Sequence, residues 1–381
     1  MIVDELGSPT IQSDLAAFDQ EFGLANPPSF NVIQPVGAIP QYTGTTLQQA
    51  WAGETTLDVE WSHVMAPEAN ILLVETPIPS YQNPIIAGDS QVAEAENYVV
   101  DNHLGDVISQ SFGQAEQTFP SLAYLNSLST PYANAYEHGI TVLASSGDEG
   151  ATSFSNAAST LYYPYRVVNW PASNPYVTAL GGTELSLDAW GNRLAPDIAW
   201  NDTYNPTVME DFTGSTAPTP FASGGGTSVV YPRPSYQAGV AFTTGNSRGI
   251  PDIAMSAGCA GTVDVYSSTL GGWSVVCGTS EASPLFAGVV ALADQEAGHP
   301  LGLINPALYA MAAERSPGIV PVTQGNNTVT FTQNGRTYTV PGFSANPQYS
   351  LVTGLGTINV AEFVPELVRA VSALRYPGLP G

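Results

Sequence analysis

Through the first half of the chain, short aliphatic and β-branched runs alternate with stretches whose apolar positions recur at helical spacing. That alternation predicts an α/β architecture, a mainly parallel sheet flanked by helices. Ile2-Val3-Asp4 reads as the opening strand. The next stretch reads as a helix in which Ser13 suits the cap, Leu15, Phe18 and Phe22 share a face, and Gly23 supplies the stop. A second helix is expected over about residues 53–63, ended by Ala66-Pro67. Ile71-Leu72-Leu73-Val74 has the unbroken apolar character of a strand buried on both faces, and Val107-Ile108-Ser109 repeats it. A helix ending near His138-Gly139 leads into Ile140-Thr141-Val142-Leu143-Ala144, whose exit is the tight turn Ser146-Gly147-Asp148. Loops that do chemistry gather at such strand ends.

Between about residues 150 and 235, Gly, Pro, Ser, Thr and Asn dominate, and neither a repeat nor a charge run marks a linker. Surface loops within one large domain spanning residues 1–381 are expected there. Residues 263–276 pattern as a hairpin around Gly271-Gly272 and deliver the chain to Gly278-Thr279-Ser280 at the start of a helix, with Leu285, Val289 and Leu292 as its buried stripe. A closing helix is expected over about residues 361–374. The chain opens inside a strand-like run, so upstream sequence is expected as well.

Charge narrows the function. The 33 acidic residues face eight basic ones, all of them Arg, for a formal net charge of −25. Such a surface repels nucleic acid and anionic membranes, so neither is an expected partner. Only 11% of the chain is charged. With its carboxylates protonated the protein would therefore carry a modest positive charge, which limits unfolding by self-repulsion in acid. Two cysteines, Cys259 and Cys277, permit one disulfide or two buried thiols. No apolar run reaches the ~20 residues needed to span a bilayer.

Three segments carry candidate chemistry. Gly278-Thr279-Ser280 places a hydroxyl at a helix N-terminus, where N–H groups and the helix dipole stabilise a developing oxyanion. A serine nucleophile needs a base, and the four histidines are poor candidates: His63 ends a helix, His103 lies in a turn, His138 sits at a helix C-terminus and His299 follows a glycine stop. Glu54 and Asp58, four apart in Gly53-Glu54-Thr55-Thr56-Leu57-Asp58, project from one helical face beside apolar neighbours. Burial there would make the pair share a proton and raise one pKa, while a carboxylate near its usual ~4 suits work in acid. Asp148 is the third acid; protonated, it can donate a hydrogen bond to an oxyanion.

The order and surroundings of these segments resemble the sedolisins, or serine-carboxyl peptidases, a family with a subtilisin-like fold. Trp200-Asn201-Asp202, Ser223-Gly224-Gly225-Gly226 and Arg248-Gly249-Ile250-Pro251-Asp252 strengthen the likeness, which covers essentially the whole chain. It implies that Ser280 is the nucleophile, Glu54 the general base and acid, Asp58 its orienting partner and Asp148 the oxyanion-hole acid. Asp4 would extend the carboxylate network. Substrate backbone would pair with Ser111, Phe112 and Gly113, with Phe112 standing where some members have Trp, and would also meet Ser223, Gly224 and Gly225. The family's structural calcium is not expected, because Pro321 and Ser350 stand where carboxylate ligands would be. The resemblance further implies protein or peptide substrates, a prodomain, secretion into acidic surroundings and a monomer. Two rival readings remain: a His-dependent subtilisin-like protease using His63 or His138, and a binding protein that keeps the fold without the chemistry.

Overall fold

Strand β1, Ile2–Glu5, lies in the interior of the sheet because every one of its residues is buried. The computed structural model describes residues 1–78, 88–156 and 158–375. After β1 come α1 (Ile11–Phe22), β2 (Phe30–Ile33), α2 (Thr46–Met65), β3 (Ile71–Thr76), α3 (Asp89–Asp101), β4 (Val107–Gln110), α4 (Thr130–His138) and β5 (Thr141–Ser145). The sheet continues with β6 (Thr178–Glu184) and β7 (Ile253–Ser256), and the long helices α5 (Thr279–Ala297) and α6 (Val360–Arg375) follow. The strand order is β7-β6-β5-β4-β1-β3-β2, with every neighbouring pair parallel. Ile198–Ala199 adds a short antiparallel segment to β6.

Adjacent residues of each strand face opposite layers. Val107, Leu143, Leu180 and Ile253 pack under α5 with Ala282, Phe286 and Val290, while Ile108, Val142 and Ala179 pack with Val99 and Tyr132 of α3 and α4. At the edge, Ile2 and Leu73 meet Leu15 and Val59 from α1 and α2. Helices thus cover both faces, as expected of a parallel sheet. No described helix is long and apolar enough to cross a membrane.

Several expected boundaries move. Ser13 is not the cap of α1: it lies in the first turn and donates to the Thr10 carbonyl at 2.8 Å. Phe22 is exposed, packing edge-on against Trp273 at 5.6 Å between ring centres. Helix α2 starts at Thr46, where Thr45 and Gln48 form a reciprocal capping box, a signal that apolar periodicity does not carry. The larger correction is β6. It was expected to be surface loop, yet it is buried almost throughout at the heart of the sheet. Gly181 and Gly182 hide it in the sequence because the backbone needs their smallness: an added Cβ would lie 2.5 Å from Pro251 and 2.7 Å from Ala257. Cys259 and Cys277 are joined in a disulfide that ties the hairpin of Val263–Ser267 and Gly272–Val276 to the residue before Gly278.

Candidate active site

Helix α2, the carboxyl ends of β4 and β5 and the N-terminus of α5 converge on a cleft of about 320 Å³ that holds Glu54, Ser111, Asp148 and Ser280. Ser280 is the second residue of α5, so its N–H belongs to the first turn, which has no intrahelical acceptor, and its hydroxyl sits in the positive end of the helix dipole. That hydroxyl donates to the Ser111 carbonyl in a long bond of 3.4 Å.

Glu54 and Asp58 sit one turn apart on α2. Asp58 is fully buried and accepts from the Ser111 hydroxyl at 2.7 Å, and the same hydroxyl lies 3.2 Å from the Ser280 carbonyl. Ser111 therefore links the carboxyl pair to the nucleophile's backbone. Among the described residues, the second oxygen of Asp58 and the Oε1 of Glu54 are enclosed without a hydrogen-bond partner. Asp4 completes the cluster from β1, with no exposed surface and, among the described residues, no hydrogen-bond partner within bonding geometry for either carboxyl oxygen.

Burial is the main influence on all three acids. It pushes Glu54 up to about 8, helped by the Asp4 charge and opposed by hydrogen bonding to Ser280. It raises Asp58 well above the carboxylate range, with Asp4 and Glu54 adding repulsion. Asp4 itself is raised to about 7. Each of the three acids is therefore held above the ordinary carboxylate range by burial and by the charge of its neighbours. The expected ionisation near ~4 is corrected, because an enclosed carboxylate surrounded by other acids loses its proton far less readily.

Asp148 faces Ser280 from the turn after β5. Its Oδ1 accepts from both the backbone N–H and the hydroxyl of Thr279, each at 2.7 Å, and Thr279 Oγ1 in turn accepts from the Gly147 N–H at 3.0 Å. Burial raises its pKa against those two hydrogen bonds. Asp148 Oδ2 lies where a side chain on Gly278 would go, 2.6 Å from an added Cβ.

A family model described as the Subtilase family matches residues 46–315. Kumamolisin from Bacillus sp. (strain MN-32) is 31% identical over 361 residues, covering 93% of this chain and 57% of that protein. Tripeptidyl-peptidase 1 from Canis lupus familiaris is 31% identical over 280 residues, covering 70% of this chain and 44% of that protein. Pseudomonas sedolisin, a serine-carboxyl proteinase solved with two molecules of pseudo-iodotyrostatin, aligns with a TM-score of 0.76 at 25% identity, covering 99% of this chain and 92% of that one. The chain belongs to the subtilase family, on its sedolisin-type branch.

The sedolisin-type cleft leaves no place for histidine: among its described lining residues there is none. His63 is buried at the far end of α2, 2.9 Å from the Ala25 carbonyl and 3.3 Å from Asp19, and His138 bonds the Asn134 carbonyl of its own helix. Ser111, Phe112 and Gly113 do line the cleft. Ser223, Gly224 and Gly225 do not, and the structure gives them a different task. Ser223 Oγ receives the Gly182 N–H at 2.9 Å and donates to the Val352 carbonyl at 2.8 Å. The Gly224 N–H holds the Gly147 carbonyl at 2.7 Å, and a Cβ there would lie 2.3 Å from the Ser146 carbonyl oxygen. Gly224 thus braces the turn that carries Asp148, while Ser223 ties β6 to Val352.

Motif reading missed Trp51, whose indole meets Phe112 edge-on at 6.3 Å and walls the cleft, and Glu149, raised by burial to about 8. Trp51 lies three residues before Glu54 on α2, so helical spacing from the acid was the available signal. The resemblance places calcium ligands at Pro321 and Ser350. Pro321 offers no side-chain oxygen, and the Ser350 hydroxyl is 3.0 Å from Thr353 Oγ1. Calcium takes six to eight oxygens, carboxylates prominent among them.

Proposed function

We propose that the chain hydrolyses peptide bonds through an acyl-enzyme on Ser280, with ionised Glu54 as general base and protonated Asp148 as oxyanion donor. The observation that carries this reading is the placement of a helix-terminal serine between a buried carboxyl pair and a separately held third acid, in a cleft without histidine. Ser280 Oγ attacks the scissile carbonyl carbon and its proton passes to Glu54. Asp58, fixed by Ser111, orients the Glu54 carboxyl. The oxyanion receives hydrogen bonds from the Asp148 carboxylic acid and the Ser280 N–H. Glu54 then protonates the departing amine, which leaves as the carbonyl reforms. Water hydrolyses the resulting ester by the same proton path in reverse, releasing the acid and restoring Ser280.

Two protonation states must coexist, Glu54 without its proton and Asp148 with one. Their joint population is highest between the raised pKa of Asp148 and the value of about 8 for Glu54, and it declines tenfold per pH unit on either side. Raised carboxyl pKa values and the predominantly acidic composition support work in mildly acidic surroundings outside the cell. Maturation from a form carrying a prodomain, and action as a monomer, belong to the same reading.

Trapping tests the nucleophile. A peptide aldehyde or fluorophosphonate should form an adduct located by peptide mass spectrometry at Ser280, and the Ser280→Ala protein should form none. Labelling elsewhere, or turnover surviving in Ser280→Ala, would remove the acyl-enzyme. An absence of both labelling and cleavage would favour the binding-protein alternative.

A further inference from the structure

Glu281 follows Ser280 directly, as the third residue of α5, yet it lies outside the cleft lining and has no exposed surface. An acid in the first turn of a helix ordinarily sits in water and answers the helix dipole. Burial removes that explanation, because an enclosed carboxyl needs partners. The partners of Glu281 are the hydroxyls of Ser256, at the end of β7, and Thr262, just before the hairpin strand Val263–Ser267. Thr262 Oγ1 lies 3.4 Å from Glu281 Oε2. Among the described residues, Oε1 has no partner within bonding geometry. Burial and the two hydroxyls are what act on the acid, and no Arg or His contributes.

Proton counting orients this contact. A hydroxyl has one proton, and Thr262 gives its own to the Val276 carbonyl, which leaves lone pairs facing Glu281. The Glu281 carboxylic acid is then the donor to Thr262. Burial raises it to about 8, so it keeps its proton through acid and neutrality. The chain of bonds runs from Glu281 through Thr262 to Val276, the residue before Cys277. Cys277 is tied to Cys259 by the disulfide, and the Gly278 N–H donates to the Ala257 carbonyl at 2.8 Å. Both sides of Ser280 are therefore fastened to one short loop, residues 257–262: Gly278 by its backbone and Glu281 by its side chain. Asp202 steadies that loop from outside, accepting from the Cys259 N–H at 3.1 Å.

We propose that Glu281 is a positioning residue for peptide hydrolysis: its carboxylic O–H, bonded to Thr262 and backed by the Cys259–Cys277 disulfide, fixes the first turn of α5 so that Ser280 stays aligned. The inference rests on the peptidase reading of the cleft. Ser280 supplies both the attacking oxygen and an oxyanion N–H from that turn, so a shift of about 1 Å carries both out of line and costs about 10²-fold in rate. Substrate is gripped elsewhere in the cleft, so the loss falls on kcat and not on KM. A carboxyl that merely filled the interior would spread its effect over the whole fold instead.

The test measures kcat and KM on one internally quenched peptide, with amide hydrogen exchange of residues 278–283 on the same preparations. Glu281→Ala should lower kcat by about 10²-fold at nearly constant KM and speed exchange in the turn. Glu281→Gln, whose amide still donates to Thr262, should restore both. Thr262→Val, which removes the acceptor, should resemble the alanine variant. Replacing both cysteines by serine should also lower kcat, and adding Glu281→Ala to that pair should cost little more, because both act on one turn. Where the cysteine pair or Glu281→Ala fails to fold, Thr262→Val takes its place in the comparison. Unchanged kcat in Glu281→Ala or Thr262→Val, a loss carried by KM alone, a loss that glutamine does not restore, or fully additive losses would each overturn the positioning role and leave the peptidase intact. Failure of the unaltered protein to cleave any peptide would remove the peptidase reading and this inference with it, and hydrogen exchange would still report whether Glu281 holds the turn.

Discussion

Asp148 depends on a neighbour that does no chemistry. Gly278 has φ of 137°, in a region that essentially only glycine occupies, and its missing side chain leaves room for Asp148 Oδ2. Gly278→Ala is therefore expected to lower stability by about 1–3 kcal/mol through backbone strain. It should also displace the acid and lower kcat by about 10²–10³-fold, the usual effect of losing one oxyanion donor. Thermal melting beside steady-state kinetics separates the two effects, and an alanine variant with full kcat would show that Asp148 does not serve the oxyanion. At this scale the sequence was legible where residue type and chemistry coincide, as at Ser280, Glu54 and Asp148. Ser111 was read there only as a substrate contact; that its hydroxyl bridges Asp58 and the Ser280 carbonyl was not legible, because nothing in a serine's neighbourhood along the chain reports a partner on another element.

The elements around the cleft are braced by a buried ion pair. Arg248 and Asp252 have no exposed surface and are joined by two bonds of 2.6 and 2.5 Å, while Asp252 also receives the Ala179 N–H at 2.8 Å and the Tyr309 hydroxyl at 2.9 Å. Asp252 thereby ties β6 to the start of β7. Asp252→Asn leaves Arg248 charged and uncompensated, so a loss of about 3–5 kcal/mol is expected in denaturant unfolding. A loss below about 1 kcal/mol would mean that water reaches the pair. The motif containing both residues was visible in the sequence, but the strand it secures was not. Continuous apolar runs disclosed β3 and β5, whereas Thr178-Ala179-Leu180-Gly181-Gly182-Thr183-Glu184 lacks both a run and an alternation. Its glycines were selected by contacts with Pro251, Trp200 and Ala257, which a local pattern cannot contain.

At the scale of the whole molecule, six buried acids outside the catalytic cluster share one property. Burial raises Glu5, Glu96, Glu149 and Glu281 to about 8, Asp89 to about 7 and Glu60 to about 9. Each is above its value of roughly 4 in an unfolded chain, so between the two values the folded state binds more protons. Their contribution to stability is therefore fully present below about pH 4 and is lost as pH rises to about 9. Melting temperature should be higher at about pH 4 than at about pH 8, and added calcium should leave it unchanged; a curve that rises toward neutrality would contradict this assignment. The acidic composition pointed to tolerance of acid, but only the fold shows that the carboxyls are inside. The central claim is carboxylate-based serine catalysis, and kcat/KM measured from about pH 3 to about pH 9 tests it most directly, with Glu54→Gln and Asp148→Asn alongside. The account predicts a broad maximum between the two pKa values in the unaltered protein, a loss of roughly 10³-fold in Glu54→Gln, and activity in Asp148→Asn that rises to about pH 8 and stays high above it. Full activity in Glu54→Gln, or an unchanged fall at high pH in Asp148→Asn, would contradict it.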